Sequence, residues 1–343
     1  MMEGVLIDNS TDFYKIDNSI TPLKEVGVIK IIEHQDFVPT FSFSIPTFNR
    51  ADLLKECIES ILRQKGDDNF NVFVIDNSPV RDDETEILMM NYKDDIRINY
   101  FKNVKNLGMV NNWNRSFMFA TGEWAIEVHD DDFLPDNYLL RIKHYMKEYP
   151  NYSMYVPGHY DFVNGKLEYK NSFLRNLIVK IKPCWRVVPK DFIIGSKTIP
   201  TGSTYKRQDF IESGGFNPNH GPAADYSFFA AFSKKHRLLR IDEKLVYYRI
   251  LRNVAGNRIS NNKLKFTSHY VSKYCLEHEL MIPIKWKLKY AAQRLVTHGG
   301  GWSQAEEYLD NTELNVYKQQ SGTLFIFKMI NIYLGICSLF RKA

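Results

Sequence analysis

From about residue 39 onward, the sequence repeats a short apolar stretch followed by a stretch whose apolar residues have helical spacing. The apolar stretches lie at 41–45, 71–75, 97–101 and from 124 onward, and the helical stretches lie at 53–62, 85–92, 111–120 and 138–149. Asn49 is expected to cap the first helix. Repeated strand–helix units build a mostly parallel central sheet with helices on both faces. The sequence therefore predicts the α/β class.

The fourth apolar stretch ends in three consecutive aspartates, Asp130, Asp131 and Asp132. Like charges at one strand end raise one another's pKa, and such a cluster persists most simply around a hard divalent cation with oxygen ligands. An acidic turn is the alternative, with Asp132 or Asp136 capping the helix that Pro135 opens. The run predicts one of these two arrangements.

Other polar residues also follow predicted strands, where open α/β sheets bind their ligands. Asp76 can accept a hydrogen bond from the imide N–H of uracil or a similar base; the alternative is a residue that caps the turn before Pro79. Backbone N–H groups near Thr47 and Asn49 can meet a ribose or a phosphate. Arg50 either adds positive charge there or is a solvated residue of the first helical turn.

Seven short motifs, in this order and spacing, resemble glycosyltransferase family 2. They are residues 44–50 (SIPTFNR), 74–78 (VIDNS), 106–108 (NLG), 129–132 (HDDD), 214–216 (GGF), 224–226 (ADY) and 247–250 (YYRI). The resemblance implies a GT-A (Rossmann-like) fold, a nucleotide-diphosphate sugar donor such as a UDP-sugar, and Mn²⁺ or Mg²⁺ bridging the diphosphate. Residues 106–115 also resemble bacterial members that build surface polysaccharides.

By this resemblance, Asp225 occupies the position of the general base, which takes the proton of the acceptor hydroxyl. The alternative is a residue that caps the helix after Pro222. Asp132 is implied as the metal ligand because it belongs to both readings of the metal motif, Asp130-x-Asp132 and Asp131-Asp132, and the choice between these stays open. The nucleotide-sugar site is implied to contain Pro46, Thr47, Asn49, Arg50, Asp76, Asn106, Gly108, Asp130, Asp131 and Arg249.

Two positions depart from the family pattern. Ala224 stands where many relatives carry glutamate, and Leu251 stands where the resemblance leads one to expect a histidine. These departures are the support for a second hypothesis, a catalytically degenerate nucleotide-sugar-binding protein on the same fold. A third hypothesis, a nucleotidyltransferase, requires a glycine-rich phosphate loop after the first strand, and residues 46–49 form no such loop.

Composition and charge narrow the setting. The net charge of +5 does not argue for nucleic acid, and the four cysteines have no metal or redox spacing. The first residues lack a basic stretch followed by an apolar run. We therefore expect a cytoplasmic protein that works at the cytoplasmic face of the inner membrane.

Three regions are expected: an N-terminal extension at 1–38, the GT-A catalytic domain at 39–258 and a helical region at 259–343. Within the last, residues 323–343 are mostly apolar, lack acidic residues and include Lys328, Arg341 and Lys342. This helix must meet a membrane surface, a second subunit or the protein's own core. A peripheral membrane contact and a homo-oligomer are both expected possibilities.

The sequence thus favours an inverting, metal-dependent glycosyltransferase. It is expected to move a sugar from a nucleotide-diphosphate sugar to a lipid-linked glycan acceptor in bacterial surface polysaccharide synthesis.

Overall fold

The computed structural model describes residues 7–343, apart from residues 9, 35–37, 67–68, 169–182, 197, 251–257, 299–305, 307–308, 310, 321–323 and 342; for residues 258–261 and 339 it describes the backbone only. In this described part, ten strands form one sheet. They are β1 (Val28–Ile32), β2 (Phe41–Thr47), β3 (Phe70–Asp76), β4 (Ile98–Asn103), β5 (Trp124–Glu127), β6 (Met154–Val163), β7 (Lys166–Glu168), β8 (Cys184–Val187), β9 (Ser203–Lys206) and β10 (Leu238–Ile250). The α-helices are α1 (Ala51–Leu62), α2 (Glu84–Met89), α3 (Met109–Phe119), α4 (Tyr138–Glu148), α5 (Arg207–Ser213), α6 (Ala224–Lys235), α7 (Arg258–Glu279), α8 (Ile284–His298), α9 (Asn311–Gln320) and α10 (Leu324–Leu339).

The sheet runs in the order β1-β4-β3-β2-β5-β9-β6-β10-β8, with β7 paired to β6. Strands β4, β3, β2 and β5 are parallel neighbours and come from the strand–helix units that the sequence predicts. Beyond β5 the pairing changes, because β9 is antiparallel to β5 and to β6, whereas β10 is parallel to β6. The predicted α/β class is confirmed, and the sheet as a whole is mixed.

The turn from β2 into α1 differs from the predicted one. Every residue of β2 is buried, and α1 begins at Ala51 with Arg50 as its N-cap and no side-chain capping bond. The prediction that Asn49 caps this helix is therefore wrong. Asn49 instead adopts a left-handed φ of 53°, which asparagine tolerates better than most residues. This turn brings Arg50 back over the end of the sheet.

The N-terminal segment is tied to the sheet. Strand β1 pairs antiparallel with β4. Arg115 of α3 is 1% exposed, and its guanidinium donates hydrogen bonds to the carbonyls of Leu23 at 2.7 Å and Val26 at 2.8 Å. Backbone oxygens of the segment before β1 thus engage the terminal nitrogens of this desolvated guanidinium, whereas its Nε has no hydrogen-bond partner among the described residues.

The C-terminal helix α10 packs one face against α8. Phe327 and Tyr290 have ring centroids 5.0 Å apart, and the Tyr290 hydroxyl donates to Asn331 at 2.8 Å. The packed side chains also include Ile326, Ile330 and Leu334, all buried. The opposite face is apolar and exposed, with Phe325, Met329, Ile332, Tyr333, Ile336 and Phe340 between 42% and 83% exposed. Part of this helix is therefore core, and part of it faces outward.

Among the described helices, none is by itself long and apolar enough to cross a membrane; Asn311–Gln320 and Leu324–Ser338 meet the length and composition test only as a pair bent by 90°.

Candidate active site

A cavity of about 680 Å³ opens where β2, β3 and β5 end. Parallel strands place their carboxyl ends at the same edge of a sheet, so residues far apart in sequence meet there. The predicted site residues that line the cavity are Pro46, Thr47, Arg50, Asn106, Asp130, Asp131, Asp225 and Arg249. The volume is in the range of small-molecule sites.

The aspartate run does not form one uniform cluster. Asp130 turns toward β2, where it accepts a hydrogen bond from the Thr47 hydroxyl at 2.8 Å. Arg50 Nη1 bridges Asp130 at 3.1 Å and Asp131 at 2.9 Å. Burial raises the pKa of Asp130, and Arg50 opposes that rise. Asp130 therefore holds Thr47 and Arg50 in place at the floor of the cavity.

Asp132 lies beneath the cavity and is 1% exposed. Its Oδ1 accepts a hydrogen bond from the backbone N–H of Arg249 at 2.7 Å, whereas its Oδ2 is buried without a hydrogen-bond partner among the described residues. Burial, followed by the charge of Asp131, raises the pKa of Asp132 to about 7. A buried, half-satisfied carboxylate of this kind is costly unless a cation joins it.

Arg249 links β10 to the aspartate run. Its Nε donates to the backbone carbonyl of Asp131 at 2.8 Å, and its Nη2 pairs with Glu56 on α1. A β-bridge between Phe133 and Tyr247 makes a second link between the same two segments. These contacts place the positively charged guanidinium of Arg249 beside the aspartates that line the cavity.

His129 sits between the end of β5 and the aspartates. Its Nε2 lies 3.3 Å from Oε1 of Glu127, and its ring stacks on Trp113 with centroids 5.1 Å apart. Burial alone lowers the pKa of His129, but the Glu127 carboxylate outweighs that effect and the pKa rises to about 9. The imidazole is thus protonated when no metal is bound, and a cation at its nitrogen has to displace that proton.

The donor set fits a divalent cation. Ligand atoms of His129, Asp131 and Asp132 lie within 4.8 Å of one another. Two carboxylates with one imidazole are ligands that Mn²⁺ accepts, whereas Mg²⁺ favours an all-oxygen set. The unpartnered Oδ2 of Asp132 supports the same assignment. In this geometry Asp131 and Asp132 belong to the group around His129, and Asp130 pairs with Thr47 and Arg50.

Asp225 lies in the first turn of α6 and lines the cavity. Burial is the largest cause that raises its pKa to about 6, and the charge of Glu127 adds to it. A carboxylate with a pKa near neutrality is suited to take a proton from a bound ligand. The neighbouring Ala224 is 0% exposed, so a glutamate at that position would place a charge in the core. Leu251, the other departure from the family pattern, lies outside the described residues.

Asp76 is not brought to the cavity. It is 0% exposed, and its Oδ2 accepts from the Tyr100 hydroxyl at 2.8 Å and pairs with Lys102 at 3.0 Å. Its Oδ1 accepts from the backbone N–H of Ser78 at 2.9 Å. Both oxygens are therefore engaged, and the following residue, Asn77, lines the cavity instead.

The other predicted nucleotide-site residues differ in position. Asn106 lines the cavity, and its Oδ1 accepts hydrogen bonds from Asn77 Nδ2 and from the backbone N–H of Gly108. Gly108 has a φ of 78° at the N-cap of α3 and shapes the loop without lining the cavity. Asn49 is exposed and also lies outside the lining.

Several lining residues were not predicted from the sequence. Asn77, Asn112, Trp113, His129 and Tyr248 all face the cavity. Asn77 had a signal, since it directly follows a strand-end aspartate. Glu127, which is 0% exposed behind His129, also had one, since it is a charged residue inside an otherwise apolar strand. Tyr248 belongs to the motif at 247–250, but nothing in that motif indicated that this tyrosine faces the cavity.

Comparison with known proteins agrees with this architecture. Residues 42–212 match the family described as Glycosyl transferase family 2. Over 98 residues, 28% of this chain and 31% of the relative, the sequence is 38% identical to the GalNAc(5)-diNAcBac-PP-undecaprenol beta-1,3-glucosyltransferase of Campylobacter jejuni. It is 24% identical to the Escherichia coli chondroitin synthase over 74% of this chain and 34% of that protein. The matches thus span about a third of the length of these two curated relatives.

Solved structures share the fold. S. aureus TarS 1–349 in complex with UDP-GlcNAc superposes with a TM-score of 0.58 at 16% identity, over 82% of this chain and 79% of that chain. The mannosyltransferase PcManGT from Pyrobaculum calidifontis, in complex with GDP-Man and Mn²⁺, superposes with a TM-score of 0.54 at 14% identity, over 93% and 86% of the two chains. With the family match, the motif order and the sheet topology, these findings confirm the resemblance seen in the sequence. The chain has a GT-A fold with a helical C-terminal region and belongs to glycosyl transferase family 2.

Proposed function

We propose that this protein transfers a sugar from a nucleotide-diphosphate sugar to a hydroxyl group of a glycan acceptor, with inversion at the anomeric carbon. The observation that carries this proposal is that Asp225 shares the lining of one cavity with Asp130, Asp131, Arg50 and Arg249. A carboxylate suited to proton transfer and a charged patch suited to a diphosphate therefore face the same space.

The donor's diphosphate is expected on the side of the two arginines. Arg50 uses Nη1 for its ion pairs, and Arg249 uses Nε and Nη2, so each guanidinium carries further N–H groups for phosphate oxygens. A divalent cation held by His129, Asp131 and Asp132 would supply additional positive charge beside the departing diphosphate. The nucleobase of the donor is expected near Asn77 and Asn106, whose amides offer both hydrogen-bond donors and acceptors.

Transfer itself is assigned to Asp225. Its carboxylate takes the proton of the acceptor hydroxyl while that oxygen forms a bond to the anomeric carbon. The bond from that carbon to the diphosphate oxygen breaks, and its electron pair leaves with the nucleotide diphosphate. Attack from the face opposite the leaving group inverts the configuration. Proton, electron pair and leaving group are then all accounted for without a further reactant.

The acceptor is proposed to be a lipid-linked glycan in bacterial surface polysaccharide synthesis. One relative is named as acting on a PP-undecaprenol-linked glycan. The exposed apolar stripe of α10 supports a location at the cytoplasmic face of the inner membrane, because exposed apolar surface of this extent marks an interaction site. The stripe is free of acidic residues and has the exposed Lys328 beside it, which suits an anionic lipid surface. The guanidinium of Arg341 is instead paired with Asp191.

A donor panel tests the proposal. The protein is mixed with UDP-, GDP- and TDP-sugars, with Mn²⁺ or with a chelator, and its melting temperature is measured. We expect one donor class to stabilise the protein, and more strongly with Mn²⁺, because a ligand that binds the native state raises its stability. Transfer is then measured with that donor and short glycan-pyrophosphate lipids as acceptors. A protein that binds a donor but transfers to no acceptor in a broad panel is a binding protein; one that binds no donor contradicts the proposal altogether.

A further inference from the structure

Glu127 has no part in the proposed transfer, yet its carboxylate is fully buried at the end of β5. Its Oε2 accepts a hydrogen bond from the Tyr205 hydroxyl at 3.1 Å, and its Oε1 faces His129 Nε2 at 3.3 Å. In the described part of the chain, His129 is its ion-pair partner. Burying a carboxylate costs free energy unless the group is paired. The position of Glu127 behind the His129 imidazole therefore indicates a role for this pair.

The imidazole of His129 is held from several sides. Glu127 engages Nε2, and the indole of Trp113 stacks on the ring at 20° between planes. The backbone is fixed as well, because the His129 N–H donates to Thr201 Oγ1 at 3.2 Å and its carbonyl accepts from the N–H of Asp132 at 3.1 Å. Glu127 thus engages Nε2, and one ring nitrogen of His129 lies within 4.8 Å of ligand atoms of Asp131 and Asp132.

We infer that Glu127 is a positioning residue that presents His129 as a nitrogen ligand next to Asp131 and Asp132, and that this arrangement makes the cation site select Mn²⁺ over Mg²⁺. Histidines that bind metals almost always donate their second N–H to a carboxylate, carbonyl or water, which fixes the ring and makes the ligating nitrogen more basic. The Glu127–His129 contact has this form.

The selectivity follows from the ligand chemistry. Mg²⁺ is bound mainly by oxygen and gives up its waters reluctantly. Mn²⁺ also favours oxygen, but it is the first member of the series of divalent ions that bind mixed nitrogen and oxygen sites. An aspartate in place of His129 would leave an all-oxygen set and remove the reason for discrimination. The inference rests on the proposed metal-dependent function, but it concerns metal binding, which is measured without turnover.

The test is a titration of the purified protein with Mn²⁺ alone, in which the electron paramagnetic resonance signal of free Mn²⁺ reports the unbound ion and Mg²⁺ is added as competitor. We expect the wild-type protein to bind Mn²⁺ at least about tenfold more tightly than Mg²⁺. Glu127→Gln should weaken Mn²⁺ binding by about tenfold or more, the usual effect of losing such a partner. His129→Asp should bring the two affinities to within about a factor of three.

His159→Gln is the matched control, because His159 also pairs with a carboxylate, Asp161 at 3.3 Å, but is not in the cation cluster. Its Mn²⁺ affinity should equal that of the wild-type protein. If Glu127→Gln does not fold, Tyr205→Phe removes only the hydroxyl that holds Glu127, and it should weaken Mn²⁺ binding in the same direction. Unchanged Mn²⁺ affinity in both His129→Asp and the Glu127 or Tyr205 variant overturns the inference while leaving the proposed transfer intact. Absence of Mn²⁺ binding to the wild-type protein also overturns it, and donor binding and transfer are then judged by the donor panel alone.

Discussion

At the scale of single residues, Asp76 and Asp225 are both strand-end or helix-start carboxylates, but their surroundings separate their roles. Asp76 is enclosed by Tyr100, Ser78 and Lys102, whereas Asp225 lines the cavity. The sequence gives residue type and position along the chain, not which buried partner a side chain will find. The sequence therefore predicts that the Asp76 carboxylate binds the nucleobase. In the structure, this carboxylate belongs to an ion-pair network with Lys102 instead.

We predict that Asp76→Asn lowers stability and leaves donor binding nearly unchanged. Lys102 is 0% exposed and keeps Asp83 at 2.8 Å as a partner, so the cost should be about 2 kcal/mol rather than the larger penalty of an unpaired buried charge. Urea unfolding and the donor Kd measure the two effects. Asn106→Ala is the matched control, since it should weaken donor binding with little loss of stability. Loss of donor affinity in Asp76→Asn at unchanged stability would show that Asp76 does contact the nucleobase of the donor.

The pKa values of the site carboxylates predict two pH effects. Because the pKa of Asp225 is about 6, transfer should rise with pH through that value as the carboxylate forms, and level off above it. A transfer rate that falls with pH between about 5 and 7 contradicts the assignment of Asp225 as base. The profile of kcat/KM against pH measures this, because it reports the pKa values of the free enzyme.

The second effect concerns stability without metal. The folded-state pKa of Asp132, about 7, lies above the ordinary value of 3.8, so the folded protein holds the extra proton between these pH values and its stability falls as pH rises through that interval. Asp132→Asn has no carboxyl group to deprotonate at this position, so its stability does not fall in this way. In the presence of a chelator, the mutant should therefore gain stability relative to the wild-type protein between about pH 5 and pH 8. Urea unfolding at both pH values measures the gain; parallel behaviour of the two proteins contradicts the account.

At the scale of elements, the sequence predicted the strand–helix units because their signals are local. The period of apolar residues and a strand's closing polar residue lie within about 20 positions of one another. Strands β6, β8, β9 and β10 pair across long stretches of chain, and no local pattern gives their order. Strand β5 shows the same limit within one element: Ala125, Ile126 and Glu127 are all buried, so no alternation indicates which side Glu127 faces.

Gly202, just before β9, lies in close contact with β5 and β10 near the site, and a substitution there tests how much this close packing matters. It has a φ of 71°, a Cβ there would lie 2.1 Å from Cγ2 of Val246, and its N–H donates to the Glu127 carbonyl at 2.6 Å. Gly202→Ala should therefore cost more than about 2 kcal/mol and weaken Mn²⁺ binding through Glu127. Gly165→Ala is the control, because Gly165 has a similar φ of 76° but nothing within 4 Å; it should cost only about 1 kcal/mol. Equal losses in urea unfolding would mean that the close contact with Val246 does not matter.

At the scale of the whole molecule, α10 has two unlike faces. One face packs on α8, and the other exposes an apolar stripe. The sequence left membrane, subunit and core open because composition does not say which face is covered. The structure assigns one face to the core and leaves the partner of the other face to experiment.

We predict that the triple substitution Phe325→Ser, Ile332→Ser and Ile336→Ser reduces binding to anionic liposomes by about tenfold or more, because three apolar side chains no longer enter the lipid interface. Donor binding should not change. The control is a triple serine substitution at Val80, Ile87 and Ile96, which are 59% to 65% exposed elsewhere on the protein. Liposome sedimentation measures binding. If the first variant instead keeps its lipid affinity and loses oligomeric mass, the stripe is a subunit interface.

The central claim, that this cavity performs sugar transfer with Asp225 as base, is tested most directly by single-turnover transfer in Asp225→Asn at saturating donor. The amide keeps the size of the side chain and cannot take the proton, so donor Kd should stay within about twofold of the wild-type value while the transfer rate falls by about two to four orders of magnitude. A mutant that binds donor and transfers sugar at the wild-type rate would contradict the account.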